Sequence, residues 1–239
     1  MSRLVLVRHG QASFLEADYD KLSPLGEAQS QLLGEYWVTR RVRFDAVASG
    51  PLARQKNTAR IVAESFARTS LPFPEPMTVP EFRECDAEGL MRHALPRLLE
   101  SSSHARELQH AFNCATVPEE RARRFQKLVE LVFAHWVSGE LAVPEVESWM
   151  DFSARVNRGV SQFMKQCGRG ITAAIFTSGG PIAVAVERAL HLAPMNTLRV
   201  MWMSRNCSYS EFLFSGERFT MHSFNASPHL DEDSLVTYR

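Results

Sequence analysis

Leu4-Val5-Leu6-Val7-Arg8-His9-Gly10 constrains this chain more than any other stretch. Four consecutive aliphatic residues, two of them β-branched, leave no polar face for an amphipathic helix and predict a short strand buried on both sides, as strands of parallel sheets are. Gly10 marks where that strand must end. Its last residues are then Arg8 and His9. Ligands of open parallel sheets gather outside the carboxyl ends of strands, so a guanidinium beside an imidazole there is a candidate anion site. The structural alternative is a polar cap on the loop after a core strand.

The rest of the chain repeats strand, turn and helix. Residues 11–21 read as a polar loop. Ser23 and Pro24 fit the N-cap and first position of a helix whose Leu25, Ala28, Leu32 and Tyr36 fall on one face. Residues 44–49 predict a second strand. Ser49-Gly50-Pro51 then opens a helix to about residue 67, with Leu52, Ile61, Val62 and Phe66 on its apolar side and Arg54 in its first turn. This rhythm belongs to a parallel sheet. Pro72, Pro74, Pro76 and Pro80 predict an extended connection carrying at most a short strand. Residues 90–143 turn helical without strands between. Over 119–137, Phe125, Leu128, Val129, Val132, Phe133 and Trp136 recur at helical steps, opposite Arg123, Arg124, Lys127 and Glu130. This reads as a helical insertion, placed over a site as a lid or packed beside the sheet. A helix over 150–167, a buried strand over 171–176, a turn at Thr177-Ser178-Gly179-Gly180 and a helix from 181 follow. Residues 197–203 and 209–214 are expected as strands, the latter in a hairpin with 218–224, and the polar tail from 225 as irregular.

At 239 residues the chain can bury one substantial core, and a single domain carrying the insertion at about 87–149 is the expected organisation. Twenty-seven basic residues balance 27 acidic ones, so no overall field draws the protein to nucleic acid or a membrane surface. Any anion site has to be local. Cys85, Cys114, Cys167 and Cys207 are widely spaced and form no CxxC pair, which fits reduced thiols in a cytoplasmic protein. The apolar run at the N-terminus is too short for a signal peptide, and no stretch approaches a membrane span. Oligomeric state is left open by the sequence.

Three strand ends finish in groups suited to a phosphoryl anion. Arg8 and His9 end the first, Arg54 lies beyond the second, and Gly179-Gly180 precedes a helix after a third. Exposed amides and the positive end of a helix dipole favour an anion, and two arginines can grip its oxygens in a fork. No HExxH, aspartate cluster or P-loop lysine motif appears, so no metal or other cofactor is expected. Without a metal, a neutral imidazole held through its second nitrogen is a competent nucleophile, a role that His9 fits. Departure of an alcohol requires a general acid. Glu84 is the candidate and Glu81 its rival.

These segments together resemble the histidine phosphatase superfamily, also called the phosphoglycerate mutase-like family. Leu4 to Gly10 is similar to its strand-plus-RHG motif, Leu22-Ser23-Pro24-Leu25-Gly26 with Gln29 to the helix start that follows, and Ser49-Gly50-Pro51-Leu52-Ala53-Arg54 with Asn57-Thr58-Ala59 to its second arginine motif. Phe82-Arg83-Glu84 matches the segment carrying the acid, and Glu147-Ser148, Phe176-Thr177-Ser178-Gly179-Gly180 and Asn206 fall where similar segments lie. The resemblance implies a three-layer α/β/α sandwich with a mostly parallel sheet. It implies a metal-independent phosphomonoesterase working through phosphohistidine at His9, with Arg8 and Arg54 on the phosphoryl oxygens and Glu84 as proton donor.

Two departures qualify that expectation. The family's second catalytic histidine precedes the glycine pair, and here Ser178 stands there. A serine hydroxyl is shorter and uncharged, and loss of one donor to developing charge costs on the order of a hundredfold in rate. His93 and His229 are the other histidines considered for the pocket. After Gly10, family members often carry Thr and Asn, whereas this chain reads Gln11-Ala12-Ser13, which argues against a mutase. Ser178, Gly179, Gln11 and Ser13 join Arg8 and Arg54 as candidate phosphate ligands. The expected substrate is a phosphorylated small molecule or phosphoprotein. The alternatives are a module that binds phosphate esters or phosphoproteins with little turnover and, third, a mutase-type phosphoryl transferase.

Overall fold

The structure, a computed structural model, describes residues 1–13 and 20–238. The middle of the loop expected over 11–21 therefore lies outside the described residues. Its flanks meet in an isolated bridge between Ala12 and Leu22. Six strands, β1 (Ser2–Arg8), β2 (Ala46–Ser49), β3 (Met77–Thr78), β4 (Thr172–Thr177), β5 (Tyr209–Ser215) and β6 (Arg218–Ala226), form one sheet in the order β3-β2-β4-β1-β5-β6. The first four run parallel, and β5 and β6 continue the sheet antiparallel.

The aliphatic run behaves as its composition demands. Leu4, Val5, Leu6 and Val7 are at most 3% exposed, each burial contributing about 1.5–3 kcal/mol. Leu4 and Leu6 point to one face, into a core with Phe82, Phe152 and Phe212, while Val5 and Val7 point to the other, against Leu33, Trp37 and Phe66. Helices α1 (Pro24–Thr39) and α2 (Ala53–Ala67) cover the second face. The first face carries α3 (Ala87–Ser101), α4 (Ser103–Cys114), α5 (Pro118–Ser138), α6 (Trp149–Cys167), α7 (Gly179–Leu190) and α8 (Pro194–Met203). Helices thus flank the sheet on both sides in three layers. No helix of the described residues is long and apolar enough to cross a membrane.

Ser23 caps α1 as its position predicts, accepting from Gly26 N at 3.0 Å with Pro24 in the first turn. Gly26 has a second reason to be glycine. A Cβ there would stand 2.1 Å from Gln11 O, and one on Gly10 2.3 Å from Gly26 O, so the turn after β1 rests directly on the first turn of α1.

Residues 197–203 are helical, not a strand. Thr197, Val200 and Trp202 mimic a β pattern, but Pro194 sits in the first turn of a helix after Ala193, and Thr197 Oγ1 donates back to Ala193 O at 3.3 Å. The same helical spacing buries Leu198.

Candidate active site

Sheet register assembles the site. Arg8 pairs with Thr177 and Ser49 with Phe176, so β1, β2 and β4 end at one level and deliver His9, the start of α2 and Ser178 to one edge. The His9 amide donates to Thr177 O at 2.9 Å, while His9 O accepts from Cys207 N at 3.1 Å and Asn206 Nδ2 at 3.3 Å. The imidazole is buried, with Nδ1 2.7 Å from Gly10 O and Nε2 3.1 Å from Arg54 Nε. A carbonyl only accepts, so Nδ1 carries the proton and the lone pair of the neutral ring sits on Nε2. Burial, then the charges of Arg54 and Arg8, pushes the His9 pKa well below its usual 6.5 and keeps the ring neutral.

Arg54 is held in the first turn of α2 by Asp20. One carboxylate oxygen lies 2.8 Å from Arg54 Nη1, and the other accepts from Ala53 N at 2.7 Å, so Asp20 serves as the helix's N-terminal cap from 33 residues away. Thr58 Oγ1 donates to Arg54 O at 2.8 Å and accepts from Gly10 N at 3.0 Å, tying α2 to the turn that bears His9. Arg8 Nη1 donates to Ser204 O at the end of α8.

Glu84 follows a 3-10 turn, Pro80–Phe82, and its carboxylate accepts from Cys85 N and Gly180 N, each at 2.9 Å. The α7 helix begins at Gly179, two residues before the expected start, so the Gly180 amide belongs to its first turn and caps onto Glu84. A Cβ on Gly180 would lie 2.1 Å from Glu84 Oε1, which is why this approach requires glycine. The segment before Glu84 is clamped from α6. Arg155 makes a bidentate pair with Glu147 at 2.7 and 2.8 Å and donates through Nη1 to Glu81 O at 2.7 Å and Arg83 O at 3.1 Å. The Cys85 thiol beside this acid is pushed well above its ordinary pKa by burial and then by the Glu84 charge, so it stays protonated.

Arg8, His9, Arg54, Glu84 and Gly179 line one cavity of about 460 Å³. Glu81 instead packs against Gly159 of α6. The other phosphate-ligand candidates are not among the described residues lining that cavity. Gln11 Oε1 accepts from Ser23 Oγ at 2.8 Å, fastening the loop to α1, and Ser13 is buried with its amide on Lys21 O at 2.8 Å. His93 is outside the lining, and His229 is buried against Tyr36 and Tyr209, so neither supplies the missing histidine.

Ser178 is 1% exposed and its hydroxyl accepts from Gln55 Nε2 at 2.8 Å. Gln55 is wholly buried. It also donates to Phe82 O at 3.1 Å and accepts from Leu52 N at 3.1 Å. Gln55 and Asp20 are the site residues that the sequence reading missed. A polar residue next to Arg54 in a helix start was the only signal for Gln55, and a lone loop aspartate gave none.

Residues 4–140 and 117–227 match the model of the histidine phosphatase superfamily (branch 1). A 76-residue stretch, 29% of this chain, is 33% identical to a broad-specificity phosphatase of Saccharomyces cerevisiae and covers 33% of it. A stretch of 76 residues, 30% of this chain, is 33% identical to the mitochondrial serine/threonine-protein phosphatase Pgam5 of Caenorhabditis elegans, covering 26% of that protein. The chain thus spans about a third or less of the length of these curated relatives. The phosphoserine phosphatase of Entamoeba histolytica, solved with phosphoserine, superposes with a TM-score of 0.63 at 18% identity over 96% of this chain and 100% of that one. The phosphoglycerate mutase of Bacillus anthracis gives 0.63 at 15% identity over 96% and 95%. At these identities the likeness is one of fold.

Proposed function

The chain belongs to the histidine phosphatase superfamily, and from that premise we propose that it is a metal-independent phosphomonoesterase of the cytoplasm that works through a phosphohistidine at His9. The observation that carries this reading is the imidazole itself. Its Nδ1 proton is committed to Gly10 O, which leaves the Nε2 lone pair as the nucleophile, buried and neutral between two arginines in the cavity that also receives Glu84.

In the proposed reaction Nε2 attacks phosphorus in line, the P–Nε2 bond forms as the ester P–O bond breaks, and the alkoxide takes its proton from Glu84, which becomes protonated when the anionic phosphoryl group binds beside it. Arg8 and Arg54 neutralise charge on the non-bridging oxygens, and Arg54 exchanges its bond to His9 Nε2 for one to the phosphoryl group. Water then attacks the phosphohistidine with Glu84 as base, returning His9 and releasing phosphate. Purified protein is expected to release phosphate from an aryl phosphate in EDTA and to form an acid-labile phosphoenzyme. Equal release by His9→Ala overturns the nucleophile assignment.

A second reading rests on Ser178. With no histidine before the glycine pair and its hydroxyl held by Gln55, the pocket keeps both arginines but lacks one donor for the departing charge. On that reading the protein binds a phosphate ester or phosphoprotein and turns over little. Saturable binding without phosphohistidine supports it, and rapid labelling of His9 refutes it.

A further inference from the structure

Arg8, His9 and Arg54 stand together in the cavity, and much of its remaining lining is apolar. α5 presents Phe125, Val129 and Phe133, spaced by four residues, along one stripe of the helix. Met91 of α3 and Met201 and Trp202 of α8 line it as well. Trp202 meets Phe133 edge to face with centroids 5.2 Å apart, so the aromatic surface continues from α5 to α8. Leu128, Val132 and Trp136 of α5 are buried in the core without lining the cavity, whereas Phe133 is buried in that core and also lines the cavity. The apolar surface of α5 is thus wide enough both to pack against the core and to form one wall of the site.

Charge follows the same division. Arg8 and Arg54 are the only lysines or arginines among the described residues lining the cavity, and both stand beside His9, where the phosphoryl group is proposed to sit. The lining also contributes Glu88, Gln126 and Tyr238. Among the described lining residues a second anionic group on the substrate would meet mainly apolar side chains and the carboxylate of Glu88, which is itself paired with Arg92. A cavity of about 460 Å³ lies within the roughly 300–1,000 Å³ that encloses drug-sized molecules, far more than a phosphoryl group occupies.

We propose that the substrates of this site are small phosphate monoesters of apolar, ring-bearing alcohols with no second anionic group, the alcohol lying between Met91, Phe125, Val129, Phe133, Met201 and Trp202. The inference rests on the phosphatase reading for the placement of the phosphoryl group. It extends that reading to the class of alcohol released.

The test compares kcat/KM of the full chain for 2-phenylethyl phosphate with those for phosphoserine and 3-phosphoglycerate. All three have alkyl leaving groups, so leaving-group acidity does not mimic recognition. The expected preference for the phenylethyl ester is about a hundredfold. Glu88→Lys, at an exposed position on the cavity rim, narrows it about tenfold by giving the second anion a partner. Calorimetric binding of 3-phenylpropylphosphonate and 3-phosphonopropionate reads the same preference without turnover. Hydrolysis of all three esters at similar kcat/KM overturns the apolar-alcohol inference and leaves the phosphatase reading standing. Preferential phosphonate binding with no phosphate release and no phosphohistidine does the reverse. A preference for the dianionic substrates, or an unchanged ratio in Glu88→Lys, counts against the inference directly.

Discussion

Restoring the family's histidine at position 178 tests whether the serine is what limits turnover, and the structure shows that one substitution is not enough. Ser178 Oγ lies 2.8 Å from Gln55 Nε2 in a fully buried contact, so the space an imidazole needs is already filled. Overpacking of this kind costs about 1–3 kcal/mol. For a chain of this size each kcal/mol shifts Tm by about 2–4 °C, so Ser178→His alone melts earlier by about 2–12 °C. Gln55→Ala alone is also destabilising, because Leu52 N loses its acceptor and Ser178 its donor, at about 1–3 kcal/mol. Phe82 O keeps Thr177 Oγ1 at 2.8 Å. Combining the two frees the volume that the imidazole takes, so the double variant is more stable than the sum of the singles by about 0.5–3 kcal/mol. With an imidazole donor beside the phosphoryl group, kcat rises on the order of a hundredfold. Thermal melts of the four proteins and rapid-quench phosphate release give both quantities. A Ser178→His single variant that is as stable as the parent and as fast as the double refutes the argument that Gln55 occupies the site. So does a folded double variant with the parent's rate.

Two further results are expected. Arg155→Met removes the clamp on Glu81 O and Arg83 O, so Glu84 loses its position; kcat falls about tenfold for an alkyl phosphate and little for 4-nitrophenyl phosphate, whose departure needs no acid, whereas an equal loss on both marks a merely structural role. His229 is held at a pKa of about 4 by burial against an unfolded value near 6.5, so the unfolded chain binds protons more readily and stability falls as pH drops through that window, by about 3 kcal/mol at pH 4. Urea unfolding between pH 7 and pH 4 should show His229→Phe losing less stability than the parent; parallel curves would refute it.

Much of the fold was legible because its signals are local. The run from Leu4 to Val7 can be satisfied only by burial on two faces, and the Ser23-Pro24 start of α1 depends on contacts three residues apart. The misreading at 197–203 has the same origin. Thr197 and Val200 favour a strand by side-chain shape, but Pro194 and the packing of Leu198 decide for a helix, and the second of those is a tertiary fact.

The site divides along the same line. Arg8, His9 and Arg54 sit at strand ends, so topology alone carries them to one edge of the sheet. Gln55 could not be placed from sequence because its partners, Phe82 and Ser178, lie 27 and 123 residues away. The apolar residues of α5 were all visible as one face, but only the placement of α3 and α8 decides that Phe125, Val129 and Phe133 also line the cavity. Groups that do chemistry on the phosphoryl end are therefore specified by short motifs, whereas recognition of the alcohol arises from helices far apart in the chain. The Ser178–Gln55 pair belongs to both. It lies at a strand end that the motif predicts, yet the serine's consequence is set by a helix residue that the motif does not name. A rate measured on Ser178→His alone would confound the missing donor with the residue standing in its place.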